Sequence, residues 1–385
     1  MSQPSPRSGT DRCPGVFSTH AAADGAVARI RLPGGRIRPD QLEKLAQAAA
    51  EHGDGYLELT ARGNLQLRGI GDVEAVAEVV VAAGLAPSSS HDMVRNIEVS
   101  ALTGRIGGVA DGWPLADRLD ERLRVDDAAA ELSGRFLFGI DDGRGDVLRR
   151  GPDVCALLHD GEGDTLRADI VVGGAPLGSA TGLDAIVSAL LEVAHAVLEI
   201  APGAWRIADL SDEQRGDLEL RIRATLGPVI GGAIPDPGDP IVGWFDQDDG
   251  QVLLGAVVEL GRLPARLGEF VAAVGAPIIV TPDREIILCD LDEGVAETVV
   301  RVLAPMGLIF DANSPWARVS CCVGAPGCAK SHAPVREDLL EYVDGGVEID
   351  TREHWVGCDR GCGAPSEPHV RVEADPQGGY RTQRR

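Results

Sequence analysis

The stretch YLELTARGNLQLRGI at 56–70 decides the fold, because PIIVTPDREIILCDL at 277–291 repeats its pattern. In each stretch, two apolar runs that are typical of strands flank a short turn that begins at a threonine. A strand-like run precedes each stretch, at 27–33 and at 251–260, and a helix pattern separates the two. A second helix pattern follows each stretch. The order β-α-β-β-α is therefore predicted twice.

The two copies keep nearly the same spacing. Pro39 and Pro264, each predicted to open the first helix, are 225 residues apart, and Thr60 and Thr281 are 221 apart. The difference indicates a short deletion in the first helix of the second copy. Both copies also end in a hydrophobic–Gly–Leu step, in AAGLAP and PMGLIF. We expect a true duplication with pseudo-two-fold symmetry and a ligand between the halves, rather than chance recurrence of a common unit.

Four cysteines near the C-terminal end form two close pairs. CVGAPGC at 322–328 has C-x5-C spacing and CDRGC at 358–362 has C-x3-C spacing. The first gap is longer than the two to four residues usual between zinc-binding cysteines. Four cysteine thiolates are also the ligands of a [4Fe–4S] cluster, and the glycines within the pairs let backbone N–H groups approach the sulfurs. The alternatives are unrelated buried cysteines or two disulfides.

Composition narrows the classes of partner. Of 385 residues, 36 are Lys or Arg and 60 are Asp or Glu, for a net charge of −24, which argues against nucleic acid and anionic membranes as partners. The first residues, MSQPSPRSGTDR, lack the apolar core of a signal peptide, so we expect a cytoplasmic protein with free thiols. The longest apolar region, 185–200, carries charged residues and predicts a buried amphipathic helix.

Arginines recur at the predicted strand ends in this acidic chain. Guanidinium groups bind carboxylates with two parallel hydrogen bonds and stay charged. Taken singly, each arginine is explained by an ion pair with the abundant acidic residues. Taken together with a nearby glutamine and asparagine, the set predicts a site for a ligand with several carboxylates. The candidate residues are Arg62, Gln66, Arg68, Arg95, Asn96 and Arg135.

From about Gly15 to Glu373 the chain resembles the sirohaem-type nitrite/sulfite reductase superfamily. The resemblance rests on TARGNLQLRGI, the Arg95–Asn96 step, the Arg135–Phe136 strand and the C-x5-C…C-x3-C motif. It implies an α+β fold of duplicated ferredoxin-like half-domains related by a pseudo-two-fold, plus two α/β nitrite/sulfite-reductase-like domains. It also implies that Arg62, Arg95 and Arg135 bind tetrapyrrole carboxylates. The implied [4Fe–4S] ligands are Cys322, Cys328, Cys358 and Cys362.

Within the superfamily, the chain is more similar to the precorrin-3B synthase branch, in CVGAPGCA, in VGC-x-x-GC and in the WFD-x-x-DG segment. It departs from the reductases at Leu137, where they have a lysine, and at Arg68, where they commonly have histidine. This likeness implies O2-dependent hydroxylation of precorrin-3A at C-20 with γ-lactone formation, in aerobic cobalamin biosynthesis. It implies a [4Fe–4S] cluster, a mononuclear non-haem iron and NADH as electron source.

Several parts of this interpretation stay open. The ligands of a mononuclear iron are not visible, although His332 and His354 flank the cysteine pairs. No G-x-G-x-x-G follows a strand, so a separate reductase is an alternative route for the electrons. Cys321 is expected to pack, and Cys13, Cys155 and Cys289 to be structural. The alternative functions are a sirohaem-dependent sulfite or nitrite reductase and a non-enzymatic iron–sulfur electron carrier.

The predicted domain boundaries follow these patterns. We expect a disordered tail, the first half-domain, a first reductase-like domain, the second half-domain, a second reductase-like domain with the cluster cysteines, and a polar tail. In the same order, the ranges are 1–12, 13–86, 87–232, 233–312, 313–375 and 376–385.

Overall fold

The structure is a computed structural model that describes residues 13–235 and 239–385, so the predicted tail at 1–12 lies outside it. The chain divides into two compact units. One contains Arg31–Gly34 and the region that begins at Pro87 and ends before Asp239. The other contains Pro14–Ile30, Gly35–Ala86 and the chain from Asp239 onward. Among the described residues, no helix has the length and apolar composition needed to cross a membrane.

The first half-domain has the predicted β-α-β-β-α order, with two further short strands. Its elements are β1 (His20–Ala22), β2 (Gly25–Ile30), β3 (Arg36–Ile37), α1 (Pro39–His52), β4 (Tyr56–Leu59), β5 (Leu65–Ile70) and α2 (Val73–Ala82). Helix α1 begins with proline at its first turn, where the missing N–H costs nothing. Its apolar residues Leu42, Leu45 and Ala49 are almost completely buried.

The middle region forms a separate five-stranded sheet with three helices. Its elements are β6 (Ile97–Val99), α3 (Trp113–Leu123), β7 (Phe138–Asp141), β8 (Val154–Asp160), β9 (Arg167–Val172), β10 (Ala175–Thr181), α4 (Leu183–Ile200) and α5 (Asp212–Arg223). The strand order is β10-β9-β8-β7-β6, with β6, β7 and β8 parallel to one another. Helix α4 confirms the predicted amphipathic helix, because it buries one apolar face that includes Ile186, Leu190 and Val197.

The second half-domain repeats the first. Its elements are β11 (Gly243–Asp246), β12 (Val252–Val258), β13 (Arg262–Pro264), α6 (Ala265–Ala273), β14 (Ile278–Val280), β15 (Glu285–Leu291), α7 (Glu293–Leu303) and β16 (Leu308–Ile309). Helix α6 has 9 residues and α1 has 14, which is the predicted deletion in the first helix. Pro264 opens this helix as predicted, because it is the N-cap residue of α6, and it also ends β13.

The two half-domains exchange strands. The first sheet has the order β1-β2-β5-β4-β13, and the second has the order β11-β12-β15-β14-β3, with β16 also paired to β12. Strand β13 comes from the second copy but pairs with β4, and β3 comes from the first copy but pairs with β14. The exchange is reciprocal, as expected for two copies related by a pseudo-two-fold. The fold class predicted from the sequence is therefore confirmed.

The remaining elements form a small sheet that carries the cysteine loops. They are β17 (Val319–Cys321), α8 (Val335–Asp344), β18 (Glu353–Val356), β19 (Val370–Ala374) and β20 (Tyr380–Arg384), in the order β17-β18-β19-β20. Val335, Leu339, Trp355 and Val372 form its core. The polar residues predicted as a tail at 376–385 include β20, which pairs antiparallel with β19. The tail interpretation is therefore wrong for Tyr380–Arg384.

Candidate metal centre and candidate ligand residues

Two parallel strands bring the cysteine pairs to one edge of the small sheet. Strand β17 pairs in parallel with β18, with Cys321 opposite Trp355. Cys322 follows β17 directly, and Cys358 comes two residues after β18. Because neighbouring parallel strands end at the same edge of a sheet, both cysteine loops leave from the same place. The N–H of Cys322 donates to the carbonyl of Trp355 at 2.9 Å, which joins the two loops at their start.

The thiol of Cys322 interacts electrostatically with the thiols of Cys358 and Cys362. The N–H of Gly357 donates to its sulfur at 3.3 Å. Burial raises the pKa of this thiol, the N–H groups of Gly357 and Gly324 oppose that shift, and the nearby thiols of Cys362 and Cys358 raise the pKa further. Metal ligation deprotonates cysteine thiols, and a bound cation would neutralise the resulting negative charges. The backbone N–H donors at Cys322 likewise favour a charged sulfur.

Glycine is required at two points of these loops. Gly324 has φ +70°, and a Cβ there would lie 2.6 Å from the backbone nitrogen of Val335. A Cβ on Gly357 would lie 1.8 Å from Oγ of Ser331. The carbonyl of Gly357 also accepts from the N–H of His332 at 2.8 Å. Any larger residue at these positions separates the loops that carry the two cysteine pairs.

Side chains from outside the loops hold the loop carbonyls. Arg371 donates to the carbonyl of Cys358 at 3.1 Å, and Arg68 donates to the carbonyl of Gly327 at 3.2 Å. Arg284 donates to the carbonyl of Gly363, immediately after Cys362. The sequence interpretation did not connect these arginines with the cysteine loops. Arg284 carried a usable signal, since it stands where the first copy has a turn glycine.

His354 also holds the second cysteine loop, and its contacts indicate whether the ring is available to bind iron. Its Nε2 contacts the carbonyl of Cys362 at 3.1 Å, and its Nδ1 lies 2.8 Å from Oγ of Ser320. Burial lowers the pKa of His354 to about 3, with the Arg284 charge acting in the same direction. The ring is therefore neutral, and both nitrogens are engaged in hydrogen bonds. This is the arrangement of a structural histidine rather than a metal ligand.

The donor set fits a four-thiolate centre. All eight cysteines are free of disulfides in the structure, so the disulfide alternative is not supported. Cys321 packs against the core of the small sheet, and burial raises the pKa of its thiol to about 11. Cys155 and Cys289 are completely buried in other parts of the chain. Cys322, Cys328, Cys358 and Cys362 are the four on the converging loops, and they suit a [4Fe–4S] cluster.

The candidate ligand residues of the first half-domain lie around β5. Gln66 is buried, donates to Glu58 at 2.9 Å and accepts from Arg29 at 2.9 Å. Arg68 is buried and makes two hydrogen bonds to Asp24, at 2.9 and 3.1 Å. Arg62 is half-buried in the turn between β4 and β5. Arg68 also contacts the first cysteine loop directly, at the carbonyl of Gly327.

The candidates in the other unit are also anchored. Arg95 is buried and binds both oxygens of Asp120, at 2.6 and 3.1 Å. Asn96 accepts from Arg31 at 2.9 Å and donates to the carbonyl of Gly134 at 3.0 Å. The guanidinium of Arg135 lies 4.8 Å from the ring centre of Trp205. The carboxylate partners Asp24 and Asp120 fix the orientation of Arg68 and Arg95. A tetrapyrrole role for the six residues stays a prediction.

Leu137, one of the two positions at which this chain departs from the reductase pattern, is buried. Leu137 is 5% exposed, and its backbone N–H donates to Asp153 at 2.9 Å. Its neighbour Phe136 contacts Phe138 edge to face, with ring centres 5.0 Å apart. An apolar side chain at 137 is consistent with these surroundings.

Comparison with known proteins supports the fold. The family described as "Nitrite/Sulfite reductase ferredoxin-like half domain" matches residues 20–83. A precorrin-3B synthase from Sinorhizobium is 27% identical over 95% of this chain and 81% of its own length. A ferredoxin–nitrite reductase from Synechococcus elongatus is 25% identical over 91% of this chain and 76% of its own.

A solved structure shares the fold. The NirA protein of Mycobacterium tuberculosis has a TM-score of 0.73 with 20% identity, over 93% of this chain and 73% of that protein. The half-domain match, the relatives over nearly the whole length and the shared fold agree: residues 20–83 match a nitrite/sulfite reductase ferredoxin-like half-domain, and the chain as a whole is similar to oxidoreductases of the nitrite/sulfite reductase type and to a precorrin-3B synthase.

Proposed function

We propose that this protein is a precorrin-3B synthase, which uses O2 to hydroxylate precorrin-3A at C-20 and forms a γ-lactone, in aerobic cobalamin biosynthesis. The observation that carries the proposal is the 27% identity to a precorrin-3B synthase over 95% of the chain. In the reaction, one oxygen atom of O2 enters the product and the other leaves as water, with NADH as the source of two electrons.

Residues of this chain would bind the substrate and the iron–sulfur cluster. The cysteine loops would hold a [4Fe–4S] cluster, and the chemistry that such a cluster would supply is transfer of single electrons. A mononuclear non-haem iron would complete the site where O2 reacts, and its ligands are not among the residues assigned above. The six candidates, Arg62, Gln66, Arg68, Arg95, Asn96 and Arg135, would bind the substrate carboxylates. Tetrapyrrole substrates carry several carboxylates, and charged guanidinium groups with an amide nearby suit such a ligand.

The buried Leu137 supports a synthase over a reductase. Sulfite and nitrite are small anions that need concentrated positive charge, and an apolar residue at this position supplies none. Free thiols throughout the chain suit a reducing compartment, so we propose a cytoplasmic location. Electrons from NADH would reach the protein directly or through a separate reductase.

A second candidate is a sirohaem-dependent sulfite or nitrite reductase, which the identity to a nitrite reductase over 91% of the chain favours. The two functions differ in whether the tetrapyrrole stays bound. A synthase turns over its tetrapyrrole, whereas a reductase retains sirohaem as a cofactor.

The test is anaerobic purification followed by a visible spectrum, with iron and acid-labile sulfide measured on the same sample. For a synthase we expect cluster absorption without an isobacteriochlorin band, and iron in excess of the cluster. Adding precorrin-3A, NADH with a reductase, and 18O2 should then give a product with one labelled oxygen atom. A stable sirohaem band with reduction of sulfite or nitrite would overturn the proposal in favour of the second candidate.

A further inference from the structure

Arg284 holds the backbone position that a glycine holds in the other half-domain. In the first copy, the N–H of Thr60 donates to the carbonyl of Asn64 and the N–H of Gly63 donates back to Thr60, at 3.0 and 3.1 Å. In the second copy, Thr281, Glu285 and Arg284 make the same two bonds, both at 3.0 Å. The turns are therefore equivalent, and Arg284 corresponds to Gly63.

The two equivalent residues share a left-handed conformation. Gly63 has φ +62° and Arg284 has φ +65°. Glycine adopts this region freely, whereas a residue with a side chain is strained there by about 1 kcal/mol or more. An arginine at this point is therefore unfavourable for the backbone. Its side chain must make contacts that a glycine cannot make.

Those contacts lie at the second cysteine loop. The side chain of Arg284 passes Gly261, where an added Cβ would come within 2.8 Å of its Cδ. Its Nη2 then donates to the carbonyl of Gly363 at 2.6 Å, one residue after Cys362. Cys321 and Asp283 also interact electrostatically with the guanidinium. Although burial lowers its pKa, an arginine stays charged in proteins.

Docking of this turn onto the small sheet does not depend on Arg284. The neighbouring Asp283 accepts a hydrogen bond from Arg352, which also bonds Glu367 at 2.7 Å. That ion pair already ties the turn to the strand that leads to the second cysteine pair. The positive charge of Arg284, in contrast, is placed at the end of the loop that carries Cys358 and Cys362.

We infer that Arg284 is a positioning residue that holds the second cysteine loop and raises the reduction potential of the iron–sulfur cluster bound there. The inference rests on the cluster assignment of the proposed function. Reduction adds one electron, and therefore one negative charge, to the cluster. A fixed cation nearby favours the reduced form, because the potential depends on local charge and hydrogen bonding. Arg284 thereby makes reduction of the cluster more favourable.

Four variants test this inference. Arg284→Gly restores the residue of the first copy and relieves the backbone, Arg284→Gln keeps bulk without charge, and Arg284→Lys keeps the charge. Arg266→Gln, which removes an exposed arginine from α6 in the same half-domain, is the matched control. The measurement is the ratio of reduced to oxidised cluster at a fixed potential, by absorption and electron paramagnetic resonance, with iron and sulfide content and the thermal midpoint.

We expect the ratio to fall about tenfold in Arg284→Gly and Arg284→Gln, which for a one-electron couple is about 59 mV. Arg284→Lys should recover most of the loss, and Arg266→Gln should leave the ratio unchanged. The thermal midpoint of Arg284→Gly should equal or exceed that of the wild type. If Arg284→Gly loses its iron, Arg284→Gln gives the decisive ratio.

Two outcomes would overturn the inference. One is an unchanged ratio in Arg284→Gln with its four cluster irons in place, which would leave Arg284 a purely structural residue. The other is a wild-type protein without iron and sulfide, which would remove the cluster as well. A wild type that contains the cluster but leaves precorrin-3A unchanged contradicts only the proposed function. The ratio measurement would then still decide the role of Arg284.

Discussion

Glu58 on β4 accepts a hydrogen bond from Arg336 on α8, so a buried carboxylate of the first half-domain is tied directly to the sheet that carries the cysteine loops. Arg262 on β13 lies 3.7 Å from the same carboxylate and Arg68 on β5 lies 3.9 Å from it. Gln66 donates to its other oxygen at 2.9 Å. Three arginines from three parts of the chain thus share one acidic partner.

Replacing Glu58 by alanine should destabilise this unit by about 3–5 kcal/mol, because Arg336 loses its hydrogen-bonded carboxylate, while Arg68 and Arg262 keep only Asp24 and Asp54. The measurement is urea unfolding followed by tryptophan fluorescence. The control is Asp40→Ala, which removes an exposed partner of Arg38 and should change stability by about 1 kcal/mol or less. Equal effects of the two substitutions would contradict a special role for Glu58.

Gly357→Ala should abolish stable iron binding, because the new Cβ would overlap Oγ of Ser331, where only 1.8 Å is available. The measurement is iron and sulfide per chain after anaerobic reconstitution. Ser331→Gly in the same chain removes the obstructing atoms and should restore a large part of the iron content. Ser331→Gly alone is the control and should keep its iron. A double variant as poor in iron as Gly357→Ala would contradict this steric explanation.

Stability in the other unit should depend on pH through Asp146. Burial raises the pKa of Asp146 to about 6, Asp141 and Asp142 act in the same direction, and the hydrogen bond from Ser100 and the charge of Arg144 oppose it. Between about pH 4 and 6 the folded state holds a proton that the unfolded state releases. The contribution of Asp146 to the unfolding free energy therefore falls as pH rises through this range.

Asp146→Asn should remove this dependence, since an amide is neutral at every pH. At pH 7 we expect the variant to be more stable by about 3 kcal/mol, with the difference becoming small near pH 4. Urea unfolding at the two pH values measures it. Asp164→Asn, at an exposed position of the same unit, should show no such trend. A constant difference between variant and wild type across pH would rule out titration of Asp146 as the cause.

Arg62→Ala should weaken tetrapyrrole binding about tenfold or more while iron and sulfide stay unchanged, because a charge-assisted bond to a ligand carboxylate is lost. Binding is measured by titration of the anaerobic protein with precorrin-3A or a stable carboxylated analogue. Arg38→Ala removes an exposed arginine of the same half-domain and serves as the control. Unchanged affinity in Arg62→Ala would exclude this residue from the ligand site.

Sequence reasoning identified the elements that have a strong local pattern. The turn at Thr60 and its counterpart at Thr281, with strands on either side, follow from short-range alternation, and the structure confirms both. The exchanged strand β3 has two residues and β13 has three, which is too short for any period to show. Pro264 was recognised as the residue that opens α6, but the strand β13 that it ends was therefore not.

The cysteine loops were predictable from spacing, but their supports were not. Arg371, His354 and Arg284 hold carbonyls through contacts that depend on tertiary packing. Strand β20 was interpreted as a tail because YRTQR is polar throughout, as suits an edge strand with four exposed residues. In each case the deciding interaction is made by residues that are distant in sequence or by backbone alone.

The reciprocal placement of β3 and β13 has a consequence for how such a chain arose. A single β-α-β-β-α copy leaves one sheet edge open and one strand without a partner, so it completes itself only against a second copy. Two identical short polypeptides that traded this strand would have formed a closed homodimer. Two copies joined in one chain can differ in sequence, so one turn can carry Gly63 while its counterpart carries Arg284.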